Sequence, residues 1–227
     1  EMCIRDRTLL NACRAHWKKE SNHRFYQIST DEVYGSLGKE GVFTEQSPYQ
    51  PRSPYAASKA SADHMVRAYG ETYGLPYVIS NCGNNYGPDQ HSEKLIPTLI
   101  HSLQQNKALP IYGDGSNIRD WLYVEDHISA MDLIFHKGAL GETYLIGGRC
   151  ERSNIAVATS ICRAYDTRAG QADGTAEKLI TFVPDRPGHD YRYAIDPHKL
   201  ESTLGWSPQT NWEVGIQKTI SSYLDKI

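Results

Sequence analysis

No apolar run in this sequence approaches the roughly 20 residues that a membrane-crossing helix needs, and no signal-peptide pattern is visible. Cysteine is sparse. Cys3, Cys13, Cys82, Cys150 and Cys162 are odd in number and form no C-x-x-C pair, which argues against a zinc knuckle or a disulfide framework and suits a reducing cytoplasm. The nine histidines show no HExxH spacing, so no metal is expected. N-x-S/T sequons are also missing. Basic blocks are missing too, and the formal charge is -3, so neither nucleic acid nor membrane is an expected partner.

What is present is ordinary for a globular chain: 227 residues, 39% hydrophobic and 22% charged, enough for a sizeable core. The opening "EMCIRDR" has no apolar period and is read as non-native sequence ahead of a helix over 8–20, with Leu9, Leu10, Cys13 and Trp17 at helical spacing. A strand over 24–29 leads into "STDEVYG", and the Gly/Pro-bearing stretch 36–54 should be irregular. Ser53 as N-cap and Pro54 at the first helical position open a helix that runs to Tyr73 and stops at Gly74.

"LPYVISN" reads as a buried-type strand and "NCGNNYGP" as a turn-rich loop. "EKLIPTLIHSLQQN", "EDHISAMDLIFHK" and "NIAVATSICRAY" read as helices, and "LPIYGDG", "RDWLYV", "ETYLIGG" and "LITFV" as strands. Helices around 197–204 and 212–226 close the chain. Strands alternating with helices give an α/β class with a largely parallel sheet.

Three motifs compete for attention. Asp31 and Glu32 stand where a strand ends, the edge at which open α/β sheets bind ligands; equally, Ser29-x-x-Glu32 fits a capping box, and exposed acid pairs are usually just solvated. Gly35, Gly38 and Gly41 spell G-x-x-G-x-x-G, but the prolines of "VFTEQSPYQPRSP" follow where a dinucleotide site needs a helix, so the match reads as coincidence in a flexible loop. Tyr55-x-x-x-Lys59 places a phenol and an ammonium on one helical face. A nearby cation favours phenolate and lowers a pKa of about 10 toward a working range; a surface pair is the plainer reading of so short a motif.

A Thr-bearing strand end followed by Tyr-x-x-x-Lys resembles the extended short-chain dehydrogenase/reductases, which act on nucleotide sugars with bound NAD. "ISTDEVYG", "SPYAASKASADH", "NNYGPDQHSEKLIP", "LPIYGDGSNIRDWLYVEDH" and "DRPGHDYRYAID" narrow the likeness to the dTDP-glucose 4,6-dehydratase family, from about residue 8 to the C-terminus. Members of that family open with a βαβ unit carrying the glycine fingerprint and a ribose-binding acid, which this sequence does not contain. The chain therefore resembles the C-terminal two-thirds of such an enzyme. The resemblance implies a partial Rossmann-type doubly wound parallel sheet. Residues 1–84 would belong to the NAD-binding domain, and 85–227 mainly to a nucleotide-sugar-binding region with segments returning to the sheet.

The resemblance also implies an internal redox cycle: oxidation at C4, loss of water across C5 and C6, and return of the hydride to C6. Tyr55 would take the 4-hydroxyl proton, Lys59 would hold the phenolate and the nicotinamide ribose, and Thr30 would position the 4-oxygen. Glu32 would be the C5 base and Asp31 the C6 acid, two opposite tasks for two carboxylates in unlike surroundings. Asn84 would touch the sugar, and Asn85 would lie near the nicotinamide. Lys94, Leu95, Pro110, Ile111, Tyr112, Arg119, Asn154, Arg186 and His189 would line the nucleotide pocket. A homodimer through the 8–20 and 54–73 helices is expected. An epimerase or decarboxylase of the same fold, which needs only the Thr/Tyr/Lys set, and a redox-silent nucleotide-sugar-binding fragment are the alternatives.

Overall fold

The structure, a computed structural model, describes residues 2–17 and 22–225. A first helix α1 (Met2–His16) is followed by β1 (Phe25–Thr30), a 3-10 turn (Asp31–Tyr34) and α2 (Pro54–Tyr73). Then come β2 (Tyr77–Cys82), β3 (Asn84–Tyr86), α3 (Leu95–Gln104), β4 (Leu109–Tyr112) and β5 (Ile118–Tyr123). The order continues with α4 (Val124–Lys137), β6 (Thr143–Ile146), β7 (Glu151–Ser153), α5 (Asn154–Ala169) and β8 (Ile180–Val183). Two helices, α6 (His198–Leu204) and α7 (Trp212–Leu224), complete it.

The strands form three small sheets. In the first, β1, β2 and β6 run parallel. The residues of β2 explain its central place: all six are buried, and they alternate between two helical layers. Tyr77 and Ile79 pack with Leu10 of α1 and Val66 and Tyr69 of α2. Val78 and Cys82 pack on the opposite side with Ala130 and Ile134 of α4 and Leu200 of α6. The second sheet is mixed, with β3 parallel and β7 antiparallel to β5. The third pairs β4 with β8 in parallel. Helices α3, α5 and α7 share the largest apolar cluster with β3, β4 and β5.

Several expectations need correction. The first helix begins at Met2, inside the stretch read as non-native. It ends at His16, and the expected helical residues 18–20 lie outside the described residues. Leu10 is fully buried and Cys13 and Trp17 pack beside it, but Leu9 is exposed. The loop "NCGNNYGP" holds the end of β2 and the whole of β3; three-residue strands give no readable alternation. The glycine-bearing loop is strapped down rather than flexible: Leu37 N donates to Arg192 O at 2.9 Å, and the Arg192 guanidinium donates to Gly41 O at 2.9 Å. Among the described residues, no helix is long and apolar enough to cross a membrane, and no cluster of three His, Cys, Asp or Glu side chains stands ready for a metal.

Candidate functional site

The acid pair sits at the C-terminal end of β1, level with the end of β2, where Thr30 pairs with Cys82. A helical turn does open here, but Thr30 caps it rather than Ser29: its Oγ1 accepts from Glu32 N at 3.3 Å. Gly35 closes the turn with φ 91 and ψ -153, a region essentially reserved for glycine. The tight turn sends the two carboxylates different ways. Asp31 is 2% exposed, accepts from Thr30 Oγ1 at 3.2 Å and leaves Oδ2 buried without a partner. Burial, then the charges of Glu32 and Asp120, push its pKa up to about 8. Glu32 faces a cleft. Burial raises it, while Arg119, Arg186 and Lys94 pull it back. One acid is thus held protonated at neutral pH, and the other is surrounded by cations that favour its ionised form.

Helix α2 delivers Tyr55 and Lys59 in its first two turns because Ser53 Oγ caps Ala56 N at 3.0 Å and Pro54 presets the first helical dihedral. Neither residue lines the cleft wall. Tyr55 is half exposed, and its pKa is raised by burial and by the neighbouring Glu32, Cys82 and Asp31. The expected depression by Lys59 is not present: the Lys59 ammonium donates to Ile28 O at 2.6 Å. The phenol therefore shares an electrostatic neighbourhood with both acids.

The cleft measures ≈ 390 Å³. It brings together most of the residues expected to bind ligand: Asn84 and Asn85 from β3, Lys94 and Leu95 at the start of α3, Pro110 and Tyr112 from β4, Arg119 from β5, Asn154 at the start of α5, and Arg186 and His189 from the loop after β8. Thr30 and Ile111 do not line it: Thr30 is buried at the end of β1. Along β4 the side chains alternate, so Pro110 and Tyr112 face the cleft while Ile111 is 1% exposed within the core. Arg119 lines the cleft, but its guanidinium is turned largely to the protein's own groups. Its Nη1 donates to Ile118 O at 2.7 Å, its Nη2 to Asp190 O at 2.9 Å, and its guanidinium lies 4.4 Å from the Tyr193 ring centroid. Burial lowers its pKa. Exposed Lys94 and Arg186 reach the same cleft without being buried. His189 is held by Asp185 at 2.7 Å.

Gln90, Glu93, Thr98, Trp121 and Tyr193 also line the cleft, and the motif reading missed them. Two of them were within reach of spacing: Thr98 follows Lys94 by four residues on α3, and Trp121 follows Arg119 by two on β5. Tyr193 needed the fold, since its hydroxyl donates to the Asp190 carboxylate in a loop that no period describes.

The chemistry of the donors fits a nicotinamide near this end of the site. Asn85 Nδ2 donates to Cys82 Sγ at 3.4 Å, while its Oδ1 is buried without a partner and so wants an N–H donor such as a carboxamide. Cys82, the partner of Asn85, is also an electrostatic neighbour of Tyr55 and Lys59.

A parallel sheet between helical layers, with a polar cleft beyond its strand ends, defines an α/β protein of the doubly wound class, in which ligands bind at that edge. The model of the GDP-mannose 4,6 dehydratase family matches residues 6–219, and the chain belongs to that family. It is 54% identical to a probable dTDP-glucose 4,6-dehydratase of Sinorhizobium fredii over 96% of this chain and 63% of that protein. Among solved structures it is similar to the dTDP-glucose 4,6-dehydratase of Bacillus anthracis in complex with NAD, with a TM-score of 0.88, 45% identity and coverage of 98% of this chain and 67% of that one. The UDP-glucuronic acid 4-epimerase of Bacillus cereus, in complex with UDP-glucuronic acid and NAD, shares the fold at a TM-score of 0.87 with 27% identity, over all of this chain and 68% of that one. The chain thus spans under two thirds of the length of the Sinorhizobium fredii relative.

Proposed function

We propose that this chain carries the catalytic acids and the nucleotide-sugar cleft of an NAD-dependent dTDP-glucose 4,6-dehydratase. The observation that carries the reading is the acid pair in unlike surroundings: Asp31 buried, with burial pushing its carboxyl up to about 8, and Glu32 in the cleft among cations. Dehydration across C5 and C6 needs a base and an acid at once, whereas a 4-epimerase moves no proton at C5 or C6 and needs only the base at the 4-hydroxyl. Glu32 takes the C5 proton, made acidic by a ketone at C4. Asp31 gives its proton to the departing C6 oxygen. Tyr55 takes the 4-hydroxyl proton, with Thr30 orienting that oxygen. NAD, when bound, supplies the hydride acceptor and donor, and Tyr55, Lys59 and Asn85 are the residues here that would hold its nicotinamide end. Asn84 positions the sugar, and Lys94, Arg186 and His189 meet the nucleotide phosphates, with Leu95, Pro110, Tyr112, Arg119 and Asn154 shaping the pocket around them.

We assign residues 1–84 to the cofactor-binding domain and 85–227 mainly to the sugar-nucleotide region, with β6 returning to the first sheet. A homodimer through α1 and α2 is part of the reading, supported by exposed Ile4, Leu9 and Tyr73 on those helices. So is a reducing cytoplasm, which unpaired Cys13, Cys82, Cys150 and Cys162 suit. The test uses protein produced from a coding region extended to the relatives' length, incubated with dTDP-glucose and NAD and followed by mass spectrometry. Product lighter by one water supports the dehydratase. An isomer of unchanged mass makes it an epimerase.

A further inference from the structure

Helix α2 also carries a carboxylate that this chemistry does not use. Asp63 is 0% exposed and lies on the i, i+4, i+8 face that begins with Tyr55 and Lys59. Its Oδ1 accepts from Gln27 Nε2 on β1 at 3.3 Å. Its Oδ2 accepts from Tyr49 Oη at 2.9 Å and from Asn81 Nδ2 on β2 at 3.3 Å. The same Asn81 amide donates to Thr30 O at 3.1 Å, and its Oδ1 accepts from Tyr34 Oη at 3.4 Å. Arg67, the next step along the face, donates to Tyr49 Oη at 3.1 Å and to Thr143 Oγ1 of β6 at 2.9 Å. One buried carboxylate thus ties α2 to β1, β2 and the loop that bears Tyr49, and Asn81 carries the link on to Thr30 and Tyr34.

We propose that Asp63 is a positioning residue: through Gln27, Asn81 and Tyr49 it locks the register of α2 against the strand end at Thr30, and so sets Tyr55 and Lys59 relative to Asp31 and Glu32. Apolar packing alone would resist a change of volume but tolerate sliding. Three directional hydrogen bonds from three different segments fix both translation and rotation of the helix, and breaking one leaves a buried polar group unpaired. The consequence for rate is large, since a misplacement of about 1 Å costs on the order of 10²-fold. The proposal rests on the dehydratase reading for its catalytic meaning, but its geometric content does not.

The test reads Tyr55 directly. With 13Cζ-labelled tyrosine, the Tyr55 resonance, assigned by its loss in Tyr55→Phe, is titrated in the parent chain, in Asp63→Asn and in Tyr49→Phe. Burial and the nearby acids hold the parent phenol above its ordinary value. Loosening α2 should move both variants toward that value, Asp63→Asn further and Tyr49→Phe, which changes no charge, less far in the same direction. In the extended enzyme kcat should fall roughly 30–100-fold for Asp63→Asn, with KM for dTDP-glucose within about 3-fold. A Tyr55 titration unmoved in a folded variant overturns the proposal. If Asp63→Asn does not fold, Tyr49→Phe decides alone. Absence of dehydratase activity in the parent enzyme would sink the functional reading while the titration still judged Asp63.

Discussion

Burial pushes the Asp31 carboxyl up to about 8, well above the ordinary carboxylate range. The stability it contributes is complete below the unfolded value and is lost as pH rises through the folded one, because the buried carboxyl must then ionise. Asp31→Asn should therefore raise the melting temperature more at pH 8 than at pH 5. Each kcal/mol recovered is worth about 2–4 °C in a chain of this size, and a scan at the two pH values checks it. Catalysis should pay the opposite way. An acid works only while protonated, so kcat in the extended enzyme should fall above about pH 8, and Asp31→Asn should lower kcat by about 10²–10⁴-fold. Glu32→Gln should lower kcat similarly but remove the acidic limb of the profile, since a base fails as pH drops through its raised pKa. A profile whose alkaline limb is unchanged in residual Asp31→Asn activity would assign that limb to another group that must carry its proton, since Tyr55, acting as a base, would shape the acidic limb instead.

At the level of elements, the turn at Asp31–Tyr34 is the part on which the site depends most. Gly35 ends it with positive φ, and a Cβ there would lie 2.6 Å from Gln50 O. Gly35→Ala should cost about 1–3 kcal/mol and shift the denaturation midpoint without changing its slope, measured in urea. The ends of α2 were legible because each is written in local chemistry: Ser53 and Pro54 at one end and left-handed Gly74 at the other. The strands β3 and β7 were not legible, because three residues, Asn84–Tyr86 and Glu151–Ser153, carry too little pattern. What places them is pairing to β5 from both sides, a relation between segments far apart in the chain.

Across the whole molecule, the cleft gathers side chains from the acid turn, β3, α3, β4, β5, α5 and the loop after β8. Its two exposed cations, Lys94 and Arg186, should act mainly through charge. Buried Arg119, committed to backbone carbonyls, should act through shape. Arg186→Ala should weaken dTDP binding about 5–10-fold at low ionic strength and by much less at 0.5 M salt, as screening removes what the substitution removed. Calorimetry at two salt concentrations measures this. An effect independent of salt would mean that Arg186 contributes packing rather than charge.

The sequence by itself determined the local facts: where α2 starts and stops, and that strands alternate with helices. Those depend on groups within a few residues of one another, so a linear reading reaches them. Tertiary structure alone decided that Asp31 is buried while Glu32 faces the cleft, that Ile111 turns to the core, that Lys59 donates to Ile28 O, and that Asp63 binds three segments together. Burial and charge proximity arise from segments folded against each other, and a pKa is set by those surroundings rather than by the residue that bears it.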